Sequence, residues 1–393
     1  MLAAQTSTPS TFPRDHKQLR WMASRLKKRA LPLLHRAASA VTADVPLLEA
    51  SLARLDPTLS LRHIRARVVD VRAETHDVRT FVLRPNGRFG SFRAGAYVTL
   101  HLNIGGQRVD RNYSLSSAPG DHGLVSITVK RVPGGLVSNY LADTLETGDV
   151  LDLSAPAGQF VLPAALPNKL LLISAGSGIT PVMSMLRKLL DERDHSAHVQ
   201  ITFLHFARSP SDVIFRAELE TIAASHPHVN VSLCVERKDD TWKGAEGLFT
   251  PCLLEQVEPA FRDTETYLCG PAGFMKAVMQ TLEGRGADMA KLHYERFNLD
   301  FDVSAFLHQS QLVRFTKTGV ESLSTGPLTI LEQAEKHGVR LESSCRMGVC
   351  GTCRTVKTKG VVVDVTTGAE SGAGEELFYP CISVARGAVE IAI

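Results

Sequence analysis

The chain has 393 residues, 44% of them apolar, and seven cysteines. That length holds two to four domains with ordinary buried cores, and no run of 18 apolar residues is present to form a transmembrane helix. A net charge of +3 gives no global basic field of the kind that attracts nucleic acid.

The positive charge is concentrated at the start, where residues 1–62 hold ten Lys/Arg against four Asp/Glu. Residues 1–13 are rich in Thr, Ser and Pro and are expected to be disordered. From Arg14 to Ala38 the pattern is basic and amphipathic, with Leu19, Met22, Leu26 and Leu33 at helical spacing and Pro32 interrupting the helix. Eight basic residues between Arg14 and Arg36, against Asp15 alone, suit peripheral contact with anionic lipid or a membrane-bound partner. A solvated helix packed on the body is the competing reading, and an organellar transit peptide shares the same composition.

Residues 63–166 switch to short alternating strands, predicted at Ile64–Val71, Val78–Leu83, Tyr97–Leu102, Asn112–Ser116 and Leu124–Lys130. Pro85-Asn86-Gly87 and Pro133-Gly134-Gly135 supply turns, so the spacing predicts an antiparallel β-barrel with one helix at Leu136–Leu145. Residues 167–297 change rhythm again. Lys169–Ser174 is a continuous apolar strand, Ala175 to Pro181 a turn, and Val182–Leu190 a helix. Further strands at Val199–Phe206, Val229–Val235 and Thr266–Cys269 predict a doubly wound α/β domain that binds ligands at the strands' carboxyl ends. Residues 298–311 read as a linker and 312–393 as a compact α+β domain.

The last domain carries the most specific signal. Cys345, Cys350 and Cys353 stand four and two residues apart, and Cys381 follows after 27 more. This is plant-type [2Fe–2S] spacing, whereas structural zinc sites favour paired Cys-x2-Cys knuckles. Gly348 and Gly351 let backbone amides approach the sulfur. Cys234, Cys252 and Cys269 remain, an odd set without a disulfide pattern, which fits a reducing, cytoplasmic compartment.

Upstream motifs supply partners for that cluster. Gly176-Ser177-Gly178, between a strand and a helix, can receive a pyrophosphate on backbone N–H groups, with Thr180 and Pro181 opening the helix. The strand ending at Ala207 runs into Arg208 and Ser209, with no acid before Asp212, which favours a 2′-phosphate and hence NADPH over NADH; Arg237 can join that pocket. Arg111, Asn112, Tyr113 and Ser114 offer a phosphate-binding cation, a ring to stack on a flavin and a hydroxyl for its N5. Lys130 ends the adjacent strand, and Gly135, Val137 and Ser138 open the helix that would meet a second phosphate.

Assembled, residues 63–393 resemble the ferredoxin–NAD(P)H reductase family fused to a plant-type ferredoxin domain. Arg111 to Ser114 matches its R-x-Y-S motif, Gly135 to Ser138 its pyrophosphate element, and Gly176 to Pro181 its G-x-G-x-T-P loop. Cys269-Gly270-Pro271 matches the C-G-P motif beside the nicotinamide, and Glu295 with Phe297 the E-x-F near the flavin. The resemblance implies a β-grasp fold for the last domain, FAD as the flavin, and Ser114 and Cys269 lining the contact where hydride passes. It also implies single-electron passage through the cluster to an outside acceptor. The N-terminal extension is similar to that of reductases supplying membrane fatty-acyl desaturases or hydroxylases, which makes such an enzyme the first expected partner. The reductase component of a soluble aromatic-ring oxygenase or of a cytochrome P450 is the second, and a redox-sensing binding protein without turnover is the third. Residues 312–393 balance nine Lys/Arg with nine Asp/Glu, so docking of the tethered cluster domain does not rest on net charge.

Overall fold

The computed structural model describes residues 45–120, 123–191, 199–297, 311–324, 328–343, 346, 348 and 351–393. The amphipathic segment expected at 14–38 and the linker at 298–310 lie outside the described residues, as do Cys345 and Cys350. A first helix, α1 (Val45–Leu55), precedes the barrel. Its Glu49 carboxylate accepts from the Leu61 N–H at 2.8 Å and from the buried Ser60 hydroxyl, which ties the helix to the chain entering the first strand.

Six strands follow: β1 (Ile64–Thr75), β2 (Val78–Pro85), β3 (Tyr97–Ile104), β4 (Gln107–Ser114), β5 (Val125–Lys130) and β6 (Val150–Leu153). Their order is β4-β3-β6-β1-β2-β5, and a bridge from Leu115 to Ile127 joins the end of β4 to β5, closing the antiparallel sheet. Alternate residues such as Phe81, Leu83, Val98, Leu100 and Ile127 fill the interior. β4 starts five residues before the expected Asn112. Gly105 and Gly106, with φ of +59° and +80°, make a two-residue hairpin turn that carries the pairing with β3 onward. β6, only four residues long, was not anticipated. Helix α2 (Leu136–Thr144) lies between β5 and β6.

The second sheet is wholly parallel, ordered β10-β9-β8-β7-β11-β12. Its strands are β7 (Lys169–Ala175), β8 (Gln200–Ala207), β9 (Val229–Val235), β10 (Ala245–Glu246), β11 (Glu265–Cys269) and β12 (Leu292–Glu295). Helices α3 (Ile179–Leu189), α4 (Arg216–Ser225), α5 (Pro251–Val257) and α6 (Ala272–Gly284) accompany it. β7 is buried along all but its first residue, which is why it reads as an unbroken apolar run. The order turns back at β7, so the carboxyl ends of β7 and β11 frame the crevice where such sheets bind ligands.

The last sheet is mixed, ordered β14-β13-β17-β15-β16, from β13 (Gln311–Phe315), β14 (Val320–Ser324), β15 (Thr355–Asp364), β16 (Glu376–Phe378) and β17 (Ser383–Ile391). β13 and β17 are parallel and the other pairs antiparallel. One helix, α7 (Ile330–Lys336), buries Ile330, Leu331 and Ala334, and a Thr329–Glu332 capping box fixes its start. Lys357 on β15 is fully buried; its ammonium donates to the Gly372 and Gly374 carbonyls at 2.7 and 2.5 Å and pins the loop before β16. The expected multidomain architecture is present: an antiparallel barrel, a parallel nucleotide-type sheet and an α+β ferredoxin-type domain.

Candidate active site

Arg111, Asn112, Tyr113 and Ser114 close β4, where Ser114 pairs with Tyr97 and Tyr113 with Val98. Asn112 accepts from the Thr99 hydroxyl at 2.9 Å. Burial pushes the Tyr113 phenol up to about 12, so it stays neutral, while burial and then the charge of Arg346 lower the pKa of Arg111. Helix α2 begins at Gly135 with no side-chain cap, so its first N–H groups are available to an anion. A methyl on Gly135 would meet Ser138 Oγ at 2.7 Å, so glycine keeps that entrance open. Ser138 itself turns inward to accept from Val132 N–H at 3.1 Å, and Val137 is buried. Lys130 is held by Asp77 at 2.6 Å, so its ammonium already has a counter-ion. An uncapped helix start and a half-buried arginine together fit the diphosphate of FAD.

The nucleotide loop shows the same economy. Gly176 has φ +53°, a conformation that favours glycine, and Gly176–Gly178 form a 3-10 turn into α3, which also lacks a side-chain cap. Gly178 lies against the Cys269-Gly270 backbone so closely that a Cβ would collide with the Cys269 carbonyl and stand 2.7 Å from Gly270 N. Thr180 donates to the Ser177 carbonyl at 3.1 Å, and Pro181 sits in the first turn. Pro271 starts α6 at its N-cap.

Cys269 at the end of β11 pairs in register with Glu295 at the end of β12. Ser114 reaches across from the barrel and donates to Glu295 at 3.3 Å. Burial drives the Glu295 pKa up to about 7, opposed by the Ser114 hydrogen bond. Burial, then the Glu295 charge, raises the Cys269 thiol well above its ordinary value, so it stands as a neutral thiol. Phe297 is half-buried against the core of the parallel sheet.

A polar seam fixes this meeting of two domains. Ser184 on α3 donates to the Ser117 carbonyl at 2.7 Å and accepts from Gly95 N–H at 3.3 Å. Arg187 donates to the Ser116 carbonyl at 2.5 Å while Glu218 holds its fork at 2.8 and 2.6 Å. Ser116 and Ser117 are two and three residues past Ser114, so the seam sets where Ser114 meets Glu295.

The far end of the nucleotide groove is looser. Arg208 and Arg237 are exposed, brought side by side by the Arg237 N–H to Arg208 carbonyl bond of 3.0 Å. Ser209 donates to Asp212 at 2.7 Å, and Lys238 is paired with Glu246 at 2.9 Å. In the last domain Cys353 and Cys381 are buried with their sulfurs 3.2 Å apart, and the Cys381 contact brings the Cys353 thiol down to about 7. Gly348 has φ +73°, and a Cβ there would strike the Ile382 side chain beside Cys381. Two buried sulfurs in contact, with the Cys353 thiol brought toward thiolate, fit an iron–sulfur ligand set.

Family models match three successive stretches: an oxidoreductase FAD-binding domain over residues 65–162, an oxidoreductase NAD-binding domain over 172–280, and a 2Fe-2S iron–sulfur cluster binding domain over 316–386. The glycine betaine monooxygenase reductase subunit of Pseudomonas aeruginosa is 37% identical over 352 residues, covering 84% of this chain and 95% of that protein. The chain belongs to the ferredoxin reductase-type NAD(P)H oxidoreductases. An NADPH oxidoreductase of Mycobacterium tuberculosis is 33% identical over 359 residues, 90% of each chain. The solved structure of a phthalate dioxygenase reductase shares the fold over 84% of this chain and 98% of its own, with a TM-score of 0.59 at 24% identity.

Sequence reading of this reductase missed several residues that matter to its geometry. The Ser184–Arg187 seam has no motif. Ser174 and His205 form a fully buried pair at 2.9 Å beneath the nucleotide loop, where burial takes His205 down to about 3. Their strand pairing, not their spacing, brings them together.

Proposed function

We propose that this reductase draws on NADPH and passes electrons one at a time to a soluble oxygenase. The observation that carries the reading is the convergence of Ser114, Cys269 and Glu295 from two domains on the carboxyl rim of the parallel sheet, upstream of a four-cysteine domain in the same chain. When bound, FAD supplies a two-electron acceptor and the [2Fe–2S] cluster a one-electron outlet. The protein's part is placement. Backbone N–H groups of the Gly176–Gly178 turn and of the Gly135 helix start bind the two diphosphates, and Arg111 adds charge. The close Gly178–Cys269 approach and the Ser114–Glu295 hydrogen bond would hold a bound nicotinamide beside the flavin, so that the encounter carries no further entropic cost. A neutral Cys269 thiol fills that contact without acting as a nucleophile.

Several observations support the finer points. The relative from Pseudomonas bears the name of a monooxygenase reductase subunit, which favours an oxygenase partner over the membrane desaturase suggested by the N-terminal charge. Exposed Arg208 and Arg237 and the name of the mycobacterial relative favour NADPH. We assign residues 63–166 to flavin, 167–297 to nucleotide and 312–393 to the cluster, with 298–311 as linker and 1–62 as extension. Cosedimentation of the full chain with phosphatidylserine vesicles separates the partners. The chain is expected to stay in the supernatant at about 0.15 M salt, and pelleting with the vesicles would return the membrane enzyme to first place.

A further inference from the structure

The tight turn between β1 and β2 places a histidine of the barrel against the nucleotide domain. His76 and Asp77 are its two central residues, since Thr75 pairs with Val78. Both oxygens of Asp77 are engaged: Oδ1 accepts from the Thr75 hydroxyl at 2.9 Å and Oδ2 takes the Lys130 ammonium at 2.6 Å. The turn is therefore fixed, with the His76 ring exposed above it. Asp212 meets it from the other domain, in the short turn Pro210–Asp212 after β8. His76 Nδ1 lies 3.8 Å from Asp212 Oδ1, and His76 Nε2 lies 3.9 Å from Asp77 Oδ2. One polar atom from each of the three side chains lies within 4.8 Å of the other two. Asp77 already has its cation in Lys130, whereas no lysine or arginine among the described residues is paired with Asp212. The charge of a protonated His76 is thus directed at Asp212.

Asp212 is in turn joined to the 2′-phosphate pocket. Its Oδ2 accepts from the Ser209 hydroxyl at 2.7 Å, and its N–H donates to the Ser209 carbonyl at 3.0 Å. Ser209 follows Arg208, whose carbonyl accepts from the Arg237 N–H at 3.0 Å. A phosphate held by this serine and these arginines would stand one hydroxyl away from a carboxylate, and like charges at that range repel. Left bare, Asp212 is also the kind of acid that accepts from a ribose 2′-hydroxyl.

We propose that His76 sets nucleotide choice from across the domain interface. By neutralising Asp212 it lets the Arg208–Ser209 pocket accept a 2′-phosphate, and without it the same loop turns toward NADH. His76 is a positioning residue in this role, acting through Asp212 rather than on the nucleotide. The proposal rests on the NADPH reading of that pocket, which the wild-type ratio below tests separately.

The test is kcat/KM for NADPH and for NADH, measured on the full chain with FAD and cluster loaded. Ferricyanide reduction is followed at about pH 6, low in the range over which histidine changes charge. In His76→Gln the NADPH-to-NADH ratio is expected to fall about fivefold, the size of one screened charge interaction, with the change in KM and not in kcat. His76→Lys keeps a cation and should stay within about twofold of wild type. In an Asp212→Asn background the effect of His76→Gln should vanish. An unchanged ratio in His76→Gln would overturn the proposal. A fall of the same size in His76→Lys, or in the Asp212→Asn background, would overturn it too, because neither the charge nor Asp212 would then be responsible. A wild type that favours NADH refutes the nucleotide reading instead, while the shift among the variants still decides the role of His76.

Discussion

The two ends of the nucleotide groove are built on different principles. At the nicotinamide end, Gly178 touches the Cys269 backbone, and Cys269 and Ser114 are buried with Glu295 beside them. Backbone contacts and strand register hold that end before any substrate arrives. At the adenosine end, Arg208 and Arg237 stand in solvent on loop residues and are aligned by a single backbone hydrogen bond. On the proposed reading, the contrast assigns the chemistry to a preorganised main chain and nucleotide choice to exposed side chains that can be changed without disturbing the sheet.

Substitutions should separate the two ends by size of effect. Gly178→Ala forces a methyl into the Cys269 carbonyl, and a displacement of about 1 Å at the nicotinamide should cost about 100-fold in kcat/KM; stopped-flow reduction by NADPH reads it, and a near wild-type rate would break the comparison. Next comes Glu295. Its folded pKa of about 7 lies above the ordinary 4.5, so the folded chain binds this proton more tightly than the unfolded one. That stability is full below pH 4.5 and is lost as pH climbs through 7, at most about 3 kcal/mol. An ionised Glu295 also favours the positive nicotinamide that forms as hydride leaves, so the reduction rate should rise through about pH 7, and Glu295→Gln should flatten the profile.

Arg187→Ala removes the charged part of the seam between the domains and leaves the Ser184 bonds in place. Losing charged hydrogen bonds to Ser116 and Glu218 should cost about 2 kcal/mol in urea unfolding, with a smaller fall in the NADPH rate as Ser114 drifts from Glu295. The smallest effect belongs to the exposed end. Arg208→Ala should raise the KM for NADPH about tenfold and leave the NADH value unchanged. An equal change for both nucleotides would remove the 2′-phosphate from that pocket.

Much of this was legible in the chain because backbone demands leave compositional marks. Apolar runs such as Lys169–Ser174 exposed the parallel sheet, and the glycines at 176 and 178 marked the tight turn before α3. The cysteine spacing announced the cluster. What was not legible depends on pairing between distant strands and domains. Ser174 with His205 and Arg187 with Ser116 are ordinary residues at unremarkable spacings. Only the register of β7 against β8, or the docking of one domain on another, gives them a role. β6 escaped for a simpler reason, since four residues carry too little alternation to announce a strand.

The central claim is that one polypeptide accepts electrons in pairs from a nicotinamide and releases them singly. Anaerobic titration of the purified, cluster-loaded chain with NADPH, followed by visible absorption and electron paramagnetic resonance, tests it most directly. The account predicts uptake of about 1.5 equivalents of NADPH, two electrons at the flavin and one at the cluster, with bleaching of both bands and a reduced-cluster signal. A colourless protein with zinc and no iron at its cysteines, or a flavin that bleaches while the cluster stays oxidised, would contradict it.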